Sequence, residues 1–255
     1  PIRGYATEAN PFLGGRAIRV CLDEPELFKT KLRALLRAAM FGDVRIMLPL
    51  IVTLDEVRAA RRLLMEASDE LTARGVEHRS DVPLGVMVET PAAAIGADIL
   101  APEVAFFSIG TNDLVQYTLA VDRGNVNLAA RFTPLHPSVL RLIRRTVQAG
   151  TAAGLEVAVC GEMASQPLMA FALIGLGVRQ LSVGAQSVAL VKRVIRGISV
   201  DVARAAADSA MLAGTAEEVE QVLRSAVRSA FGDAPFLRYG LPVKGDLDMF
   251  GDAGA

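Results

Sequence analysis

The sequence predicts an α/β domain wound around a parallel sheet, on three observations. Short, mostly apolar runs of strand length recur along the chain, stretches of helical period separate them, and Gly, Pro and capping residues fall at the joins. The strand runs are Val44 to Leu50, Leu84 to Glu89, Ala105 to Gly110, Leu155 to Gly161 and Gln180 to Gly184, each apolar enough for a strand covered on both faces. Between them, Phe28, Leu32, Leu35, Leu36 and Ala39 repeat at helical spacing opposite Lys29, Arg33 and Arg37. Thr53 with Glu56 forms a capping box that opens the next helix, and Gly75 closes it. Pro91 and Pro137 suit first turns, and Gly154, Gly197 and Gly232 suit helix ends. Thr215 with Glu218 repeats the capping box for a last helix that reaches Phe231.

Composition narrows the function classes. The chain has 255 residues, 52% hydrophobic and 22% charged, which excludes whole-chain disorder. Lys and Arg total 27 against 28 Asp and Glu, without long like-charge blocks, so no nucleic-acid or anionic-membrane partner is expected. A local cluster of arginines for a small anion needs no basic total. No apolar run approaches the ~20 residues of a membrane helix. Cys21 and Cys160 form no CxxC pair and stand near no clustered His, so neither a disulfide framework nor a zinc site is expected, and a reducing cytoplasm is the simpler setting. The chain opens at Pro1 without a basic or apolar leader and reads as an excised piece with no secretion signal.

Residues 1–232 are read as one domain. The tail 233–255, with aperiodic Gly and Pro, is expected to be loosely ordered. Five strands fall short of the eight that close a (β/α)8 barrel, so either the sheet is open or further strands lie upstream.

Parallel α/β folds bind ligands outside the carboxyl ends of their strands, so polar residues that abruptly end apolar strands carry the candidates. Val86-Met87-Val88 runs into Glu89, Phe106 to Gly110 into Thr111-Asn112-Asp113, and Val157-Ala158-Val159 into Cys160-Gly161-Glu162. Glu89 and Asp113 can share an oxygen-loving cation such as Mg²⁺; equally, Asp113 suits a helix N-cap and Glu89 the dipole of the helix at Pro91. Arg16, Arg45 and Arg123 offer planar forks for phosphate or carboxylate. Arg16 and Arg123 also suit solvated loops, whereas Arg45, read within an apolar strand, needs a partner. Cys160 is either a small core residue or a thiol placed for proton transfer. His78 is expected to be exposed, His136 to be a loop or capping residue, and Cys21 to be inert core.

Five ordered strings carry a family resemblance: Asn10 to Arg19, Gly85 to Ala93, Phe106 to Leu114, Ala120 to Asn125, and Cys160 to Ala164. Together they resemble the C-terminal domain of enzyme I, the phosphoenolpyruvate–protein phosphotransferase of the bacterial sugar phosphotransferase system. The resemblance implies a (β/α)8 TIM barrel that lacks its first strands here, binds phosphoenolpyruvate and Mg²⁺, and forms a homodimer. It matches Glu89 and Asp113 to metal ligands, and Arg16, Asn112 and Arg123 to groups holding the substrate. It matches Arg45 to a further active-site arginine, and Cys160 to the acid that protonates C3 of the enolate. It also implies transfer of the phosphoryl group to a histidine of an N-terminal domain and on to the phosphocarrier HPr. Neither His78 nor His136 sits in that histidine's motif, so the chain by itself is not expected to complete the transfer. Pyruvate phosphate dikinase and phosphoenolpyruvate synthase domains share the fold and the Cys-Gly-Glu, but the segment Val121 to Asn125 resembles enzyme I more closely. A phosphoenolpyruvate-sensing module without turnover is the alternative outside enzymes.

Overall fold

The computed structural model describes residues 8–231. Its elements run α1 (Ile18–Asp23), α2 (Pro25–Ala38), β1 (Ile46–Leu48), α3 (Leu54–Ala73), β2 (Leu84–Val88), α4 (Pro91–Ile95), α5 (Ala97–Leu100), β3 (Phe106–Gly110), α6 (Thr111–Leu119), α7 (Pro137–Ala152), β4 (Glu156–Cys160), α8 (Glu162–Ser165), α9 (Pro167–Gly175), β5 (Gln180–Leu181), α10 (Val188–Gly197), α11 (Val200–Ala210) and α12 (Ala216–Phe231). Gly232 and the tail 233–255 lie outside the described residues, as does the domain boundary between them.

The five strands form one parallel sheet in sequential order, β1 to β5. A doubly wound sheet reverses its strand order at a switch point, whereas sequential order is the winding of a barrel wall. Burial agrees: Val86, Val88, Phe107, Ile109 and Val159 are fully buried, with α7 packed behind β3 and β4. The alternate residues Met87, Phe106, Ala158 and Cys160 stay half-buried on the opposite face. The expectation of strands covered on both faces is therefore corrected, because helices cover one face and the other is the lining of an incomplete (β/α)8 barrel.

Local chemistry sets the element ends. Thr53 and Glu56 form the reciprocal capping box of α3, and Thr215 with Glu218 repeats it at α12. Pro91 and Pro137 occupy first turns, and Gly75 (φ 63°) and Gly154 (φ 72°) follow the ends of α3 and α7 in the left-handed region. α2 buries Phe28, Leu32 and Leu36 as its pattern requires, but Lys29 is not on a solvated face. Its stem is buried and its ammonium meets Glu26 at 2.9 Å, Glu66 at 3.6 Å and Glu70 at 2.7 Å, cross-linking α2 to α3. β5 is shorter than its apolar run because only β4 pairs with it among the described residues, and a strand with one neighbour loses its ladder early. No helix among the described residues is long and apolar enough to cross a membrane.

Candidate functional site

The carboxyl ends of β1, β2, β3 and β4 meet at one rim. β1 stops at Leu48, and Leu50 then adopts φ 57°, a left-handed conformation that costs a bulky residue about 1–2 kcal/mol. That turn aims the Leu50 N–H at Glu89, 2.7 Å from Oε1. Thr90, next in sequence, donates to the Ile51 carbonyl at 2.8 Å and accepts the Ala93 N–H as the cap of α4. Thr90, not Glu89, caps α4, and the Glu89 carboxylate instead accepts the Leu50 N–H at the rim. Glu89 packs across Gly110 of β3, where a Cβ would meet its Oε2 at 2.8 Å. Only 7% of Glu89 is exposed, and desolvation raises its pKa to about 7. The Leu50 N–H and the charges of Arg16 and Arg123 oppose that rise, while the charge of Asp113 adds to it.

Asp113 is not a cap either. It sits in the first turn of α6 after Gly110, the N-cap, and is 5% exposed. Each of its oxygens holds one arginine: Oδ2 lies 3.2 Å from Arg16 Nη2 and Oδ1 lies 3.1 Å from Arg123 Nη1. Both guanidiniums lie over the Phe12 ring, at 5.4 Å for Arg16 and 6.0 Å for Arg123. Two cations and one aromatic face thus converge beside two nearly buried carboxylates, so each arginine has a charged partner while about a third of its side chain stays exposed. The Arg123 backbone N–H is pinned by the buried Gln116 Oε1 at 3.1 Å.

The neighbouring strand end adds Cys160. Ser108 Oγ donates to its Sγ at 3.4 Å, and Thr111 Oγ1 donates to its carbonyl at 3.0 Å. The thiol is half-buried on the lining face rather than sealed in the core. Asn112 Oδ1 accepts the Glu162 N–H at 3.1 Å and ties the end of β3 to the turn after β4. Gly161 makes that approach feasible: its φ is 101°, and a Cβ there would meet Thr111 Oγ1 at 2.5 Å.

Arg45 does not join this rim. It precedes β1, at the amino end of the sheet, and pairs with Glu156 at the start of β4 at 2.7 Å, its side chain 46% exposed. The expectation of a charge inside a buried strand is corrected: the ladder begins one residue later, so Arg45 sits outside it, over the Phe106 ring. His136 caps α7 through Nδ1, as expected. His78 is more enclosed than expected, held by Ser68 at 2.8 Å and the Val76 carbonyl at 2.9 Å. Cys21 is partly buried, which pushes its thiol pKa up. Phe12, Leu50, Ser108, Gln116 and Tyr117 escape the sequence reading, although Gln116 and Tyr117 stand one helical turn from Asp113 and share its face.

The donor set suits Mg²⁺. Among the described residues no three His, Cys, Asp or Glu side chains cluster as an all-protein metal cage. Two carboxylates at adjacent strand ends leave most coordination positions to water and to substrate oxygens, the usual situation for this cation.

Known proteins resemble this chain over most of its length. The chain is 43% identical over 230 residues to a phosphoenolpyruvate-protein phosphotransferase of Staphylococcus carnosus, covering 90% of this chain and 40% of that protein. The corresponding figures for the Haemophilus influenzae protein of the same name are 44% over 216 residues, with coverage of 85% and 38%. The chain therefore spans about two fifths of the length of these relatives. Over residues 3–200, which include the Glu89, Asp113 and Cys160 strand ends, it matches the family model described as PEP-utilising enzyme, PEP-binding domain, and on that match the chain belongs to this family.

Proposed function

We propose that the rim binds phosphoenolpyruvate with one Mg²⁺ and that, in a longer polypeptide, it serves phosphoryl transfer to a histidine of an N-terminal domain and then to the phosphocarrier HPr, releasing pyruvate. The observation that carries this reading is the convergence of Arg16 and Arg123 on Asp113 beside Glu89. Glu89 and Asp113 would hold the cation, which when bound draws off charge from the phosphoryl oxygens. Arg16, Arg123 and Asn112 hold the phosphate and carboxylate of the substrate. For this, the two guanidiniums must exchange part of their contact with Asp113 for the incoming anion, and the bidentate fork of each suits that exchange.

As the phosphoryl group leaves for the histidine nitrogen, the P–O bond breaks and its electron pair stays on the enolate of pyruvate. Cys160 then gives its thiol proton to C3, producing pyruvate and leaving a thiolate that Ser108 Oγ–H stabilises. The names of the relatives and the family match support this direction. A cytoplasmic homodimer completes the reading.

The test is pyruvate release from phosphoenolpyruvate by the intact protein that carries this chain. Cys160→Ala is expected to bind the substrate normally and to turn over at least about 100-fold more slowly, because a general acid acts mainly in the transition state. Near-normal turnover would remove Cys160 from the chemistry.

A further inference from the structure

The substrate arginine Arg16 sits in a segment without strand or long helix, between Glu8 and the start of α1. A guanidinium on such a segment has many rotamers, and holding one of them costs side-chain entropy unless neighbours restrict it. Asp113 supplies one restraint. It is also the group that the proposed Mg²⁺ would engage, so a second restraint has to persist when the ligand arrives.

Tyr117 has the geometry for this. It lies on α6 one turn beyond Asp113, at i+4, so both side chains rise from the same face of the helix. Its hydroxyl accepts a hydrogen bond from Arg16 Nη1 at 3.2 Å and donates to the carbonyl of Phe12. One oxygen thereby ties the guanidinium and the backbone of its own segment to α6. The ring of Phe12, carried by the backbone that this tie holds, is the surface over which both Arg16 and Arg123 lie. Burial keeps the phenol protonated, its pKa raised chiefly by desolvation, so it remains able to donate. None of these contacts uses the Glu89 or Asp113 carboxylates.

We infer that Tyr117 is a positioning residue that latches the segment around Phe12 to α6 and presets Arg16 for the anion. The inference rests on the reading of Arg16 as a substrate ligand.

The experiment measures the affinity for phosphoenolpyruvate in the presence of Mg²⁺, together with KM and kcat, in the intact protein. It compares wild type, Tyr117→Phe, Arg16→Ala and the double variant, each first checked for an unchanged thermal midpoint. Tyr117→Phe deletes only the hydroxyl, and the loss of a hydrogen bond to a charged group corresponds to about a tenfold weaker affinity. KM is expected to rise more than kcat falls. In the Arg16→Ala background the same substitution is expected to change affinity by less than about twofold, because the guanidinium it presets is gone. A tenfold loss in both backgrounds would make Tyr117 a general support of the fold, and wild-type affinity in Tyr117→Phe would remove its role; either overturns the inference. Wild-type affinity in Arg16→Ala also overturns it, and shows that the fault lies in the substrate reading of Arg16 rather than in the latch.

Discussion

Arg123 folds back onto Asp113, Nη1 to Oδ1 at 3.1 Å, from the loop that follows the helix carrying that aspartate. The contact depends on Ala120, whose left-handed φ of 52° ends α6, and on Gln116, which fixes the Arg123 backbone. A planar fork held in this way can meet a phosphate through two parallel bonds, whereas an ammonium meets it as a point charge. Arg123→Lys is therefore expected to weaken Mg²⁺-dependent phosphoenolpyruvate binding about tenfold or more, read by calorimetry. Unchanged affinity would return Arg123 to the role of a surface charge.

Gly110 gives a second handle on the same rim. A Cβ there would lie 2.8 Å from Glu89 Oε2 and 2.9 Å from Met87 Sδ, too close for either to stay where it is. Overpacking of this kind costs about 1–3 kcal/mol. Gly110→Ala should lower the urea midpoint of the ligand-free protein and, by displacing the carboxylate, weaken Mg²⁺-dependent binding as well. A variant with wild-type stability and binding would mean that Glu89 does not need this gap.

Arg45 supplies the opposite expectation. Its ion pair with Glu156 is exposed and lies at the amino end of the sheet. Solvent and salt screen such a pair, so it contributes little to stability. Arg45→Ala should leave KM and kcat close to wild type, because the residue lies at the end of the sheet opposite the rim. A tenfold loss of either would place Arg45 in the chemistry despite its position.

The bridge between α2 and α3 sets a pH dependence. Hydrogen bonds from Lys29 first, and then from Arg33, hold the Glu70 carboxyl below its ordinary value of 4.5. A carboxylate with a depressed folded-state pKa stabilises the fold above the unfolded value, and that stability is lost as pH falls through the folded one. Thermal midpoints should therefore drop below pH 4.5 more steeply in wild type than in Glu70→Gln, which has no such charge to lose. Parallel curves for the two proteins would exclude Glu70 from the acid response.

The sequence discloses most of the frame and about half of the site, for reasons that differ residue by residue. Apolar runs and capping boxes are local signals, so β2, β3, β4 and the start of α3 fall where their residues put them. The placement of Glu89, Asp113 and Cys160 at the rim is legible because polar residues that follow parallel strands fall at their carboxyl ends. Arg45 misleads because an apolar run does not reveal where the ladder begins, and one residue moves a side chain out of the sheet. Lys29 misleads because a charge on an amphipathic helix looks solvated until α3 brings Glu66 and Glu70 over it. Phe12 and Tyr117 stay hidden since their contact joins segments far apart in the chain, which no local pattern encodes.

Glu89 and Asp113 are proposed to hold one Mg²⁺ shared with the substrate anion. The direct measurement is the thermal midpoint of the intact protein with phosphoenolpyruvate, with and without Mg²⁺, in wild type, Glu89→Gln and Asp113→Asn. Ligand binding to the folded state alone raises stability by about 2.7 kcal/mol at a ligand concentration 100 times Kd, so the shift is large enough to read. Stabilisation by phosphoenolpyruvate should require Mg²⁺ in wild type and vanish in both variants. Full Mg²⁺-dependent stabilisation in Glu89→Gln and Asp113→Asn would contradict that assignment.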